Sequence, residues 1–194
     1  MKNSVLLIAM VFAFLTASVS AQETIHETIW FDSNWNITTK EKAIYYRPSP
    51  KSQKNGYLIV DYYMNGNKQM EGFSSINTPN QEKFDGVVKY YFEDGVLYQE
   101  ISYQTGKING YRKIYFKSGK LKEERDYRGD KRVGKHSEYY ESGELSIVGK
   151  YLNNLKEGSW KVFYKNGKIK EKGKYEKGKK IGVWKTFFKN VYKK

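Results

Sequence analysis

Histidines and paired carboxylates are the side chains most often used for acid–base catalysis, and this sequence offers few of them. Its two histidines are His26 and His136. Its adjacent acidic pairs are Glu93 with Asp94 and Glu123 with Glu124. Neighbouring side chains on a strand point to opposite faces, so neither pair forms an acid–base dyad by itself. We therefore assign the histidines to packing or surface roles and predict a protein without catalytic activity.

Other chemistry-bearing patterns are equally weak. The stretch "GKKIGVWKT" at 178–186 superficially resembles a phosphate loop but lacks the glycine-lysine-threonine ending. "NIT" at Asn36 matches a glycosylation acceptor, a short pattern that is common by chance. The chain has no cysteine, which excludes a disulfide scaffold, a thiol enzyme and thioether lipidation. The sequence predicts no cofactor and no metal site.

Basic residues, mostly lysines, outnumber acidic ones, and they are unevenly distributed along the chain. The chain has 35 basic and 21 acidic residues. Residues 22–103 contain 8 basic and 11 acidic side chains, whereas residues 104–194 contain 26 and 10. The basic half is therefore the candidate binding half. Its densest part is "GSWKVFYKNGKIKEKGKYEKGKKIGVWKTFFKN", residues 158–190.

A repeat of 24 residues positions these lysines. One glycine column has members at 86, 110, 134, 158 and 182, and a second at 95, 119, 143 and 167. A tyrosine column at 103, 127, 151 and 175 keeps the same period. Aromatic pairs and Asp-Gly, Ser-Gly or Asn-Gly dipeptides recur between the columns, as in β-hairpins. The repeat predicts an all-β fold, an elongated antiparallel β-meander of two-stranded 24-residue units.

The turns set an expected register. We expect two-residue loops at Asn166-Gly167 and at Gly178-Lys179. The first loop places Tyr164 opposite Ile169, Val162 opposite Glu171, Trp160 opposite Gly173 and Gly158 opposite Tyr175. The second places Tyr175 opposite Gly182. Each column tyrosine would then lie between two glycines, and Trp160 would cover Gly173.

Strand alternation then divides the unit into two faces. One face is expected to carry Trp160, Val162, Tyr164, Ile169 and Tyr175, with Glu171 as the exception. The other, which we call the lysine face, is expected to carry Lys161, Phe163, Lys165, Lys168, Lys170, Lys172 and Lys174. Two explanations stay open for it: lysines that keep an exposed face soluble, or a surface for an anionic partner.

The units resemble a known repeat. "GYRKIYFKSGKLKEERDY", "GKHSEYYESGELSIVGKY" and "GSWKVFYKNGKIKEKGKY" are similar to the MORN-type repeat, in the bacterial variant found in YwqK-type antitoxin proteins. The resemblance covers residues 86–190 and, more loosely, 56–73. It implies an elongated sheet that binds other molecules, without shared catalytic residues, and an antitoxin-like role.

The rest of the chain suggests export and a cap. Residues 1–21 have an early lysine, an apolar run and the ending "ASVSA", which is typical of a cleavable secretory signal peptide. Residues 22–73 are predicted to form an aromatic-rich cap and a divergent first repeat, residues 74–85 a loop, and residues 86–194 the repeat array. "NVYKK" at 190–194 is expected to close the array with lysines that blunt its edge.

These features together predict a non-enzymatic exported repeat protein. We expect it to act as a protein-binding scaffold in the cell envelope, as a periplasmic, outer-membrane-associated or extracellular protein. The lysine face would bind an acidic protein or an anionic envelope surface. The alternative is peripheral binding to anionic lipid or lipopolysaccharide through the same lysines. Nucleic acid would be attracted by the same charge but is seldom met by an exported chain, and the oligomeric state stays open.

Overall fold

The computed structural model describes residues 27–188 and consists of one antiparallel sheet. In that part of the chain the only helical element is a 3-10 turn, Lys40–Lys42. The strands are β1 (Ile29–Phe31), β2 (Tyr45–Arg47), β3 (Lys51–Gln53), β4 (Gly56–Tyr63), β5 (Lys68–Ser74), β6 (Gly86–Tyr91), β7 (Leu97–Gln104), β8 (Lys107–Tyr115), β9 (Leu121–Arg128), β10 (Lys131–Tyr139), β11 (Leu145–Leu152), β12 (Leu155–Phe163), β13 (Ile169–Glu176) and β14 (Lys179–Thr186). The predicted all-β class is confirmed.

Successive strands lie side by side in chain order, which confirms the predicted meander. From β4 to β14 every strand pairs with the next one, while β2 pairs with both β1 and β4, and β3 pairs only with β4. Within the described residues no helix is long and apolar enough to cross a bilayer. The expected signal peptide and the closing "NVYKK" both involve residues outside the described range.

The first turn of each unit is longer than the sequence predicted. Gly167 N donates to Tyr164 O and Tyr164 N donates to Lys168 O, both at 2.9 Å. Only Gly167 is left-handed, with a φ of 76°, whereas Asn166 is not. The expected two-residue loop is therefore wrong, because the chain uses a three-residue loop that ends on a left-handed glycine. A serine can precede that glycine because its own backbone is not left-handed.

The second turns are the two-residue type. Lys177 and Gly178 both have positive φ, at 48° and 83°, as do Asn153 and Asn154, at 49° and 70°. Glu176 pairs with Lys179 across the loop. The predicted two-residue length is thus confirmed, but the loop is Lys177-Gly178 rather than Gly178-Lys179.

The predicted register is right along the middle of β12 and wrong near its end. Gly158 pairs with Tyr175, Trp160 with Gly173 and Val162 with Glu171, as expected. Ile169, however, pairs with Phe163 instead of Tyr164. The register shifts by one residue there, because Lys170 is an extra residue in β13, forming a β-bulge.

The glycine column marks a second bulge in each unit. Tyr175 pairs with Lys180, so the expected pairing of Tyr175 with Gly182 is wrong. The register between β13 and β14 shifts around Gly182, whose φ is 60°. Left-handed backbone favours glycine, which explains the column without any need to make room for a tyrosine ring. The same shift occurs beside Gly134 and Gly158.

The tryptophans cover glycines of the preceding strand rather than their own partners. A Cβ atom added to Gly149 would lie 2.2 Å from the ring of Trp160, and one added to Gly173 would lie 2.3 Å from the ring of Trp184. Trp160 therefore covers Gly149, and the expectation that it covers Gly173 is wrong. The bulge at Gly158 adds residues to β12 and thereby changes which glycine the ring meets.

The most buried apolar cluster lies near the N-terminal end of the sheet. Ile59, Met70 and Val88 are at most 4% exposed, and Phe84 packs against them. Phe84 belongs to the strand-free segment 75–85 between β5 and β6. In the N-terminal region Trp35 stacks on Tyr45 with ring centroids 4.6 Å apart. This end of the sheet is thus packed by rings and by the 75–85 segment.

A buried ion pair fixes the same end. Arg47 Nε and Nη2 donate to the two carboxylate oxygens of Asp61, at 2.6 and 2.9 Å, and Arg47 also contacts Glu82. Arg47 is 3% and Asp61 1% exposed. Burial raises the pKa of Asp61, and the hydrogen bonds from Arg47 oppose that effect. Nothing in the sequence pattern identified this pair.

Candidate partner-binding face

One face of the C-terminal half is a continuous ladder of rings, which we call the ring face. Consecutive centroids lie 5.0–5.7 Å apart, mostly edge to face. The ladder consists of His136, Tyr151, Trp160, Tyr175 and Trp184. Such edge-to-face contacts hold the hairpins in a fixed relation to one another. The ring face therefore provides packing that supports the opposite face.

His136 is part of that packing. It is 2% exposed and its ring lies 5.4 Å from that of Trp160. His136 Nε2 lies 2.9 Å from Glu138 Oε1, and this contact lowers the pKa of Glu138. Within residues 27–188 there is no cluster of three or more potential metal-binding side chains. The "GKKIGVWKT" stretch forms a turn and strand β14, so it is not a phosphate loop.

Four of the seven residues predicted for the lysine face do share one face. Lys161 pairs directly with Lys172, and Lys174 pairs with Ser159 two positions further along β13. Residues that face each other across two strands lie on the same side of the sheet. Lys161 and Lys174 are exposed, and Lys172 is half-buried.

Phe163 belongs to the same face by comparison with earlier units. Its counterparts Tyr91 and Tyr115 donate hydrogen bonds to Glu71 and Glu100, respectively. Its counterpart in the next unit, Phe187, lies 5.6 Å from Lys172 Nζ. These partners are all on the lysine face, so the column places an aromatic ring beside the lysines in successive units.

The other three lysines are positioned differently. Lys165 lies in the three-residue hairpin loop and Lys168 is the first residue after it, so both lie outside β12 and β13, where strand alternation does not apply. Lys170 is the extra residue of the bulge, and its Nζ lies 5.8 Å from the ring centroid of Tyr164. Its ammonium group therefore lies near the ring of Tyr164, and the side of the sheet expected for Lys170 stays a prediction. Sequence alternation does not decide these positions because it presumes an uninterrupted strand.

The structure adds two lysines that the sequence analysis missed. Lys185, on β14, pairs with Lys172 and so lies on the same face. Lys150 lies two residues after Val148, which pairs with Lys161, and is therefore also on this face. A depression of about 350 Å³ is lined by Ser159, Lys161, Lys172, Lys174, Ile181 and Lys185. A second, adjoining depression includes Lys150, Ser159 and Lys174. The corrected lysine face is a shallow basic groove formed by β11–β14.

One line of directly paired residues crosses the sheet from β5 to β14, and we call it the cross-strand row. Its members, in order, are Glu71, Lys89, Glu100, Lys113, Glu124, Ser137, Val148, Lys161, Lys172 and Lys185. Over its first five members the charge alternates in sign. Over its last three it is uniformly positive. The same position in the fold is thus neutralised in the early units and unbalanced in the late ones.

Ion pairing follows that division. Lys113 Nζ and Lys135 Nζ lie 3.8 and 3.9 Å from Glu124. Among the described residues, Lys161, Lys172 and Lys174 have no carboxylate within 4.0 Å, and neither does Lys185. Like charges directly opposite one another destabilise a sheet. The late part of the row therefore carries a cost that the early part avoids.

Comparison with protein families agrees with the unit boundaries in the sheet. Residues 84–105, 108–128, 132–153 and 156–177 match the family described as MORN repeat variant. Each match contains one hairpin: β6 with β7, β8 with β9, β10 with β11, and β12 with β13. This part of the chain is therefore similar to an array of MORN-variant repeats, and the family model matches four of its units. A comparison with curated proteins found no match.

Proposed function

We propose that this protein is a non-enzymatic scaffold of the cell envelope that binds an acidic protein through the lysine face. The proposal rests mainly on the three consecutive lysines of the cross-strand row, Lys161, Lys172 and Lys185. A sheet that needed only a soluble face would gain it equally from the alternating charges of the early units. A row of like charges is instead expected where an anionic ligand supplies the opposite charge.

The geometry indicates how such a partner would be bound. The groove is open and shallow, so a flat or extended acidic surface fits it better than a small molecule does. Lysine ammonium groups would contact carboxylates, while Phe163 and Phe187 offer apolar contact beside them. Because the ring face fixes the hairpins, the backbone positions of the lysines are set before binding, which reduces the backbone entropy that binding costs.

Location and role complete the proposal. The apolar run and small-residue ending of residues 1–21 support export through a signal peptide. The likeness to YwqK-type repeats supports an antitoxin-like role in which the acidic partner is neutralised by binding. Export is tested by fractionating cells that express the full chain and determining the N-terminus of the envelope form. An N-terminus at Met1 in a cytosolic fraction would contradict it.

The binding proposal is tested by a matched pair of charge reversals. Lys172→Glu and Lys113→Glu change the net charge equally and lie in the same row of the sheet. Affinity capture from detergent-solubilised envelope should recover an acidic protein with the parent and with Lys113→Glu, and lose it with Lys172→Glu. Equal recovery by the two variants would contradict a role for the lysine face.

Peripheral membrane binding is a second candidate, favoured by one observation. Val183 and Phe188, close to Lys185, are 80% and 86% exposed, and lysines next to exposed apolar side chains suit an anionic bilayer surface. Flotation with vesicles of anionic or neutral lipid separates the two candidates. Salt-sensitive flotation with anionic vesicles alone, without capture of any protein, would favour the membrane.

A further inference from the structure

The last described strand, β14, lies at the edge of the sheet that residues 27–188 form. Its one hydrogen-bonded neighbour within residues 27–188 is β13. By repeat position β14 is the first strand of a unit, since Gly182 and Trp184 correspond to Gly158 and Trp160. The strand also lies outside the four segments that match the repeat family. It is therefore the first half of a hairpin whose second half the described residues do not supply.

In each earlier unit, the residue two positions before the column glycine accepts a backbone hydrogen bond from the two-residue turn that follows the next strand. Gly106 N donates to Phe84 O at 2.8 Å, and Gly178 N donates to Lys156 O at 2.9 Å. The backbone N–H of Asp130 donates to Ile108 O, and the side-chain Oδ1 of Asp130 accepts from Ile108 N–H. Asn154 makes the same two hydrogen bonds with Arg132. Lys180 occupies this position in β14, so its backbone N–H and C=O point to the open edge.

Side chains at the edge show the same incompleteness. Trp160 is 4% exposed and has Tyr151 on one side and Tyr175 on the other, each edge to face. Trp184 has Tyr175 at 5.0 Å on one side and is only half-buried. The described residues place no second ring against it. An aromatic residue arriving opposite Gly182, as Tyr175 lies opposite Gly158, would complete the ladder.

We propose that β14 accepts an extended acidic segment of the partner protein as an added antiparallel strand. This inference rests on the proposed function and specifies how the same partner is recognised. The early units show what the added strand would contain. In β7 and β9 a glutamate lies opposite the row lysine and a tyrosine follows three residues later, as Glu100 with Tyr103 and Glu124 with Tyr127. The recognition pattern is therefore Glu-x-x-Tyr, with the glutamate opposite Lys185.

Charge selects this occupant over a second copy of the chain. Strand β14 contains Lys179, Lys180 and Lys185 and no acidic residue. Antiparallel pairing of two β14 strands would bring two basic edges together, which is unfavourable. An acidic strand instead extends the alternation seen in the early part of the row. Main-chain hydrogen bonds would supply affinity, and the Lys185 and Trp184 contacts would supply specificity.

The test uses the purified full chain and a synthetic peptide, acetyl-ELEESDYENG-amide, labelled for fluorescence anisotropy. The peptide is expected to bind Lys185→Glu at least tenfold more weakly than it binds the parent. In the variant, the carboxylate at position 185 faces the glutamate of the peptide. A peptide with lysine in place of the glutamate of Glu-Ser-Asp-Tyr should bind Lys185→Glu better than it binds the parent. This exchange of preference would show that the glutamate of the peptide lies beside Lys185.

A backbone variant distinguishes the edge from the groove. N-methylation of the final glycine removes the donor equivalent to Gly178 N–H and should weaken binding about fivefold, as the loss of one hydrogen bond does. Equal affinity of the methylated peptide, or no exchange of preference with Lys185→Glu, would overturn the added-strand proposal, while the capture experiment could still support the lysine face. Dimerisation of the parent that Lys185→Glu strengthens would overturn it in favour of self-pairing.

Discussion

Lys161 and Lys172 lie directly opposite each other on neighbouring strands, where Lys113 and Glu124 stand at the equivalent position two units earlier. In the earlier unit a glutamate neutralises the lysine at this position, whereas in the later unit a second lysine takes the place of that glutamate. Because a favourable pair is replaced by an unfavourable one on a sheet of unchanged geometry, the difference points to binding rather than to folding.

Lys172→Glu is expected to stabilise the fold while weakening partner binding. The variant restores alternation between Lys161 and Lys185, which should raise the free energy of unfolding by about 0.5–1 kcal/mol. Urea denaturation at low salt measures the change, and added salt should reduce it. The matched control Lys113→Glu should destabilise by a similar amount, since it places a third carboxylate in the row between those of Glu100 and Glu124. A loss of stability in Lys172→Glu would contradict the cost assigned to the lysine row.

Gly149 and Trp160 are expected to be energetically coupled. Trp160→Ala should cost about 3–5 kcal/mol, because it removes a buried ring. Gly149→Ala alone should cost about 1–3 kcal/mol, because its Cβ would lie 2.2 Å from that ring. In the double variant the clash is absent, so the total cost should fall below the sum of the two. A denaturation double-mutant cycle measures the coupling, and additivity would show that the ring does not cover Gly149.

Gly158→Val is expected to destabilise through the backbone. Gly158 has a φ of 67°, a conformation that costs a β-branched residue about 1–3 kcal/mol. The side chain nearest to an added Cβ is the flexible end of Lys150, at 2.8 Å, and not Tyr175. Tyr175→Ala should therefore fail to rescue Gly158→Val in chemical denaturation. Rescue would mean that the valine enters the space of the tyrosine ring.

Glu138 should make stability dependent on pH in the acidic range. The hydrogen bond from His136 lowers the pKa of Glu138 below its unfolded value. Such a carboxylate contributes stability that is fully present above the unfolded pKa and is lost as the pH falls through the folded pKa. Unfolding measured from about pH 5 to about pH 3 should show this loss. In Glu138→Gln the loss over that range should be smaller, and an unchanged profile would assign it to other groups.

The 24-residue period was sufficient to predict the fold because the pattern of glycines, tyrosines and aromatic pairs recurs in every unit. The turn at Asn166-Gly167 was misjudged because the dipeptide also suits a loop in which only the glycine is left-handed. The bulges at Lys170 and Gly182 could not be read from alternation, since each inserts residues without changing the type of sequence around it. Lys185 was missed for that reason: its place beside Lys172 depends on the register beyond the bulge at Gly182.

Side chains are buried more deeply at the N-terminal end of the sheet than at the C-terminal end. Local stability is therefore expected to decrease from the first end to the second. Ile59 is fully buried near one end, whereas Val183 on β14 is 80% exposed. In a single-layer array each hairpin is held only by its neighbours, so local opening starts where those contacts are fewest. Amide protons of β14 should exchange fastest and those of β4–β6 slowest, with the intermediate hairpins graded between them. We therefore expect the N-terminal end to open least often and β14 to open most often.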